Sequence, residues 1–120
     1  IMASILRVNT LTDASSNNST ATSTIFNGTA KAWVYALDNA ISDDFNIAST
    51  TDNGTGDYTF TFTSAMANAT FAVTAVINED SNIAVFSPSR ATTSYNLSLQ
   101  NYSNTAFDKN SGSVVHGDLA

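Results

Sequence analysis

Residues 57–63 read DYTFTFT, and this stretch decides the fold. In an extended chain Tyr58, Phe60 and Phe62 fall on one side and Thr59, Thr61 and Thr63 on the other. A period of two marks a half-buried strand, because successive side chains point to opposite faces. A helix would smear the three aromatics around its axis. The residues just before, TDNGTG (51–56), are turn chemistry, since Asn, Asp and Gly tolerate positive φ.

Working outward, the same alternation recurs. TAKAWVYAL (29–37) sets Lys31, Trp33, Tyr35 and Leu37 against Ala30, Ala32, Val34 and Ala36. Trp33 is expected in the core with Tyr58, Phe60 and Phe62. DFNIAST (44–50) reads as one further strand. TFAVTAVI (70–77) is more continuously apolar and suits a central strand. NIAVFS (82–87), TSYNLSLQN (93–101) and a last strand around Val114 and Val115 complete the set. DNGTGD, NEDSN, SPSR and KNSGS punctuate them as turns. TSAMANAT (63–70) allows at most one short helical turn. The expected fold is all-β, with an antiparallel β-sandwich or jelly-roll-like body over residues 25–120.

Ahead of the body, SILRVNTL (4–11) alternates loosely as a β-arm carrying Ile5, Leu6, Val8 and Leu11. TDASSNNSTATST (12–24) has nothing apolar except alanine. It cannot bury enough to order itself, so an exposed linker or a partner-ordered segment is expected. Residues 2–24 are thus an arm and linker for oligomerisation or attachment. Met2 is the expected natural start, and IMASIL lacks the basic start and length of a signal peptide.

Composition narrows the function. Charged residues are 12% against a usual ~25%, and 17 Thr, 16 Ser and 14 Asn cover the surface instead. The net charge is −6, and Arg7, Lys31, Arg90 and Lys109 are scattered, which argues against nucleic acid and against a polybasic membrane contact. The longest apolar run is too short for membrane insertion. With no cysteine, disulfides, thiolate metal sites and a Cys nucleophile are excluded.

Candidate chemistry is thin. The GTG of residues 54–56 lacks the third glycine and following helix of a dinucleotide loop, and the Lys of a P-loop. Asp52 and Asp57 only partly match a calcium loop. His116, the only histidine, lies near the C-terminus, taken as mobile, and has Asp108 and Asp118 as triad partners but no nucleophile elbow. The pairs Asp43/Asp44 and Glu79/Asp80 read as solvated turn residues, not as glycosidase acids across a cleft. No catalytic, metal or cofactor site is expected. Tyr102 in QNYSNT is the best exposed aromatic for a receptor contact, with Trp33, Tyr35 and Tyr95 behind it.

The stretch GTAKAWVYALDNAISDDFNIASTTDNGTGDYTFTFTSAMANATFAV (28–73) resembles a domain near the C-terminus of tail-fibre and other virion-surface proteins of tailed bacteriophages, especially those of marine bacteria and cyanobacteria. Gly28, Ala30, Lys31, Ala32, Trp33 and Val34 match its first block, and Asp44, Phe45, Asn46 and Ile47 its second. Thr51 through Thr59 match the third, and Ala65 and Met66 the fourth. MASILRVNTLTDASSNNST (2–20) looks like the start of short phage fibre proteins. Relatives often carry an arginine where this chain has Asp43. Beyond residue 75 the resemblance ends.

The resemblance implies a non-enzymatic virion structural protein, made in the host cytoplasm and displayed on the particle surface. It implies a tail-fibre or receptor-binding module, with capsid decoration or a head fibre as the alternative. The expected form is a homotrimer with Ile5, Leu6, Val8 and Leu11 buried between chains. Expected partners are other tail or capsid proteins and a host cell-surface glycan or protein.

Overall fold

The computed structural model describes residues 4–78 and 83–120. The turn at 79–82, with Glu79 and Asp80, lies outside the described residues, as do residues 1–3. The chain runs β1 (Thr10–Thr12), β2 (Ser19–Ala21), α1 (Thr22–Gly28), β3 (Ala32–Leu37), β4 (Ala40–Phe45), β5 (Ile47–Gly54), β6 (Asp57–Phe62), β7 (Ala72–Ile77), β8 (Ile83–Phe86), β9 (Arg90–Ala91), β10 (Ser94–Asn101) and β11 (Ser111–His116). One sheet has the order β5-β6-β10-β8, with β9 also paired to β10. The other has the order β4-β3-β11-β7, and all pairings are antiparallel. The two sheets form a sandwich.

The core is a match of large against small. From one sheet come Tyr58, Phe60 and Phe62 of β6 and Tyr95, Leu97 and Leu99 of β10. From the other come Ala32, Val34 and Ala36 of β3 and Ser111, Ser113 and Val115 of β11. Interiors pack to nearly crystalline density, so bulky rings on one side require short side chains opposite. Phe60 stacks on Tyr95 at 5.3 Å between ring centroids, and the Tyr95 hydroxyl meets Ser113 Oγ across the sandwich at 2.7 Å.

This match corrects the expectation for Trp33. The parity of β3 turns Ala32, Val34 and Ala36 inward and Trp33, Tyr35 and Leu37 outward. Trp33 is 37% exposed. The space an inward indole would need is already filled by the rings of β6 and β10. Two strand expectations also shift. β7 is an edge strand, not a central one, and the interior positions fall to β3 and β11. DFNIAST is broken at Asn46, which has φ 60° and ends β4 before β5 begins in the other sheet. The Asn46 amide donates to Lys31 O (3.0 Å) and Ser64 O (3.1 Å), while its Oδ1 accepts from Ser64 N at 2.7 Å. Asn tolerates the left-handed conformation, and its amide replaces the sheet bonds lost at the crossing.

TSAMANAT holds no helical turn. Instead Met66 N bonds Thr92 O, and Met66 bridges to Leu119. Ala67 N→Asp118 O (2.7 Å) and Ala120 N→Ala65 O (3.0 Å) tie down the C-terminus, against the mobile end expected from the sequence.

The segment 12–24 also orders itself, contrary to the sequence reading. β1 pairs with β2 as a hairpin. The Asp13 carboxylate accepts from Asn17 N at 3.0 Å and Asn18 Nδ2 at 2.8 Å, and Thr12 Oγ1 donates to Asn18 O at 2.8 Å. These side-chain bonds close the turn without an apolar core. They also hold the Asp13 carboxyl below its ordinary range, the Asn18 amide first among the causes. Every residue from Ser4 to Thr29 is exposed except half-buried Thr22. The arm therefore projects. The radius of gyration is 17.6 Å, against about 14 Å for a compact domain of this length.

Candidate functional site

The TDNGTGDY loop is an internal fastening. Gly54 and Gly56 have φ of 138° and 63°. Asp52 Oδ1 accepts from Gly54 N at 2.9 Å, and Asn53 Nδ2 donates to Thr59 Oγ1 at 2.8 Å. Gly56 N donates to Asp108 Oδ1 at 2.7 Å, and Leu99 N to Gly56 O at 2.8 Å. A Cβ on Gly56 would sit 2.6 Å from Leu99 O and 2.7 Å from Phe107 O. The loop's donors are aimed at the chain itself, so it offers a phosphate little to bind. Asp52 also accepts from Asn39 Nδ2 at 3.2 Å. Among the described residues, no group of three or more His, Asp or Glu is placed to hold a metal ion.

Beneath the loop lies a cluster the sequence reading missed. The buried Tyr58 hydroxyl contacts Asp108 Oδ1 at 2.8 Å and also Asp38 Oδ1. Burial first, then the two carboxylates, pushes the Tyr58 phenol well above its ordinary range. Gly56 N–H first, then the Tyr58 hydroxyl, holds the Asp108 carboxyl below its own. The phenol is thus a locked neutral donor joining the β3–β4 turn to the segment before β11. That is the opposite of an activated acid or nucleophile.

The other titratable candidates are separate. His116 is exposed at the end of β11, and among the described residues no hydrogen bond joins it to a carboxylate. Asp108 is held by Gly56 and Tyr58, so no triad is assembled. Asp43 and Asp44 lie in β4 rather than in a turn. Asp43 Oδ1 accepts from Asp44 N at 3.0 Å, and Asp44 Oδ2 accepts from Ile47 N at 3.2 Å.

Two apolar surfaces have none of the described residues over them. The first is the arm, where Ile5 and Leu6 are 72% and 79% exposed and Val8 and Leu11 are also exposed. The second is the outer face of the β4-β3-β11-β7 sheet. Phe45, Trp33, Val114 and Thr74 are opposite one another in register and form one row. Asp43, Tyr35, Gly112 and Val76 form the next. Gly112 leaves a shallow hollow of about 280 Å³ between Trp33 and Val76. Tyr35 Oη accepts from Asn78 Nδ2 at 2.8 Å at its rim. The outer face of the other sheet is polar, with Thr59, Thr61, Ser98 and Gln100. Tyr95 is buried and offers no contact, whereas Tyr102 is 83% exposed. Parity along β3 was the signal for the apolar outer face, once the volume of the core is considered.

No family model, curated protein or solved structure matches this chain.

Proposed function

We propose that the chain is a non-enzymatic structural protein of a bacteriophage virion surface, a trimeric fibre module for host attachment. The single observation that carries the reading is the pair of uncovered apolar surfaces, the arm and the Trp33–Phe45 sheet face. Uncovered apolar area of this kind marks assembly. The resemblance of residues 28–73 to phage fibre domains supports the same reading. In the assembled particle the arms of neighbouring chains bury Ile5, Leu6, Val8 and Leu11. The locked loop and the neutral Tyr58 cluster give stiffness, which suits a virion component. Weak receptor contacts gain strength from three copies and many fibres.

The test is the mass of the purified chain by light scattering, followed by the same measurement after deleting residues 2–24. A species of about 38 kDa, three times the 12.6 kDa chain, that falls apart on deletion supports the reading. A clean monomer, or a trimer indifferent to the deletion, sinks the arm's role. Tight binding to empty capsids moves the reading to capsid decoration.

A further inference from the structure

We propose that the open pocket between β8, β10 and the 101–105 turn binds an uncharged saccharide, its ring stacked on Phe86 and its hydroxyls bonded by Ser98, Gln100 and Asn104. This rests on the attachment reading above and supplies its ligand class. The pocket has a volume of about 600 Å³ and is lined by Phe86, Ser87, Pro88, Ser98, Gln100 and Asn104. That volume is within the usual range for small-molecule sites.

The lining chemistry selects the ligand. Among the described residues, none of the six lining side chains is charged, so an ionic ligand would find no counter-charge on them. Phe86 is 51% exposed and is the one aromatic ring among the six lining side chains. It sits opposite Ser98 in register, with Gln100 two residues further along the same face. Gln100 Nε2 donates to Ser98 Oγ at 3.1 Å, which leaves the Gln100 carbonyl and the Ser98 proton for a ligand. The Ser87 hydroxyl is buried in the wall with no hydrogen-bond partner among the described residues. A sugar presents an apolar C–H face and a ring of hydroxyls, which answers both halves of this lining. An aliphatic peptide side chain would answer only Phe86 and leave the amides unpaired.

The geometry is fixed in advance. Asn101 Oδ1 accepts from Ser103 N and Thr105 N, each at 2.9 Å, and Asn101 N donates to Thr105 O at 2.9 Å. Asn104 N donates to Asn101 O at 3.0 Å and holds φ 60°. The turn therefore presents Asn104 to the pocket and leaves Tyr102 exposed beside it. Such preorganisation lowers the ordering cost of binding.

The test is an amide NMR titration of the full chain with methyl glycosides of glucose, galactose, mannose and N-acetylglucosamine, and with galacturonate as the charged comparison. Saturable shifts at the Gln100 and Asn104 side-chain amides are expected with at least one neutral glycoside. Phe86→Ala should weaken that binding about tenfold. Asn104→Gly keeps the positive φ, removes the amide and should weaken it similarly, so a folded variant is assured. No saturable shift across the panel, shifts centred elsewhere, or a preference for galacturonate overturns the proposal. Light scattering on the same samples separates the two readings. A trimer that binds none of the panel overturns the pocket alone, and a monomer that binds a neutral glycoside overturns the trimer alone.

Discussion

Lys31 Nζ lies 4.4 Å from the centroid of the Phe26 ring and donates to the Phe26 carbonyl, so one buried side chain fastens α1 to the sandwich. The same ammonium donates to Thr29 O at 2.8 Å and Thr29 Oγ1 at 3.2 Å, which uses all three of its protons. Lys31 is only 3% exposed. The last carbonyls of a helix lack partners within it, and here the lysine just ahead of β3 supplies them. A charge buried without a carboxylate is costly, so these three acceptors and the ring are what make it tolerable.

Lys31→Met should therefore release α1 while leaving the sandwich folded. The loss is about 1–3 kcal/mol, the usual cost of leaving buried acceptors unpaired. Limited proteolysis should cut between residues 22 and 30 far faster than in the parent chain. An unchanged digestion pattern would show that α1 is held by something else.

Gly56→Ala should be the most damaging single methyl addition in the loop. Its Cβ meets two carbonyl oxygens at 2.6 and 2.7 Å, and the backbone of β10 and of the segment before β11 has to move. The left-handed φ of 63° adds strain. The expected loss is about 3 kcal/mol or more, read from the denaturation midpoint. At Gly28 a Cβ meets nothing within 4 Å, so Gly28→Ala is the matched control and should change stability by less than about 1 kcal/mol.

Much of the fold was legible and the reasons differ by element. β6 could be read because its alternation separates aromatics from threonines without exception. Its inward face could be read because nothing in its sequence competes for it. β3 alternates as cleanly, but both of its faces are apolar. Hydrophobicity alone chose Trp33 for the core, and only the volume of the rings opposite sends it outward. The break at Asn46 was hidden because its cause lies in bonds to Lys31 and Ser64, which are distant in sequence. The β1–β2 hairpin was missed because polar side chains, not burial, close its turn. The Tyr58 cluster and the Phe86 pocket each gather residues from segments far apart in the chain, so no local pattern announces them.

The pH dependence of stability should show two edges. The Tyr58 phenol is raised in the folded chain above its ordinary 10.0, and burial raises Tyr95 to about 12. Below pH 10 both are neutral in either state and their contribution is fully present. Above it the unfolded chain ionises first, so stability falls as pH rises, by about 1.4 kcal/mol per pH unit for each phenol. Tyr95→Phe should make the alkaline slope shallower. The Asp108 carboxyl is held below its ordinary 3.8, so its contribution is present above that value and is lost as pH falls through the lower folded one. Asp108→Asn should flatten the acid edge. Urea midpoints across both edges decide this, and slopes unchanged in both variants would refute the assignment.

Trp33 tests the apolar sheet face directly, because it is the only tryptophan and it points away from the core. Trp33→Ser removes a large ring that no described residue covers on the outer side, so the fold should lose less than about 1 kcal/mol. Assembly should suffer much more, since buried aromatics dominate interface energies and truncating one commonly costs about 2 kcal/mol or more. The expected result is a variant with a nearly parental urea midpoint that scatters light as a smaller species at the same concentration. In the parent, Trp33 fluorescence should be quenched by acrylamide more readily on dilution, as assembly is lost. If the variant keeps the parental mass and the parent's quenching is independent of concentration, the Trp33–Phe45 face is not an interface between copies, and the arm alone must account for any oligomer.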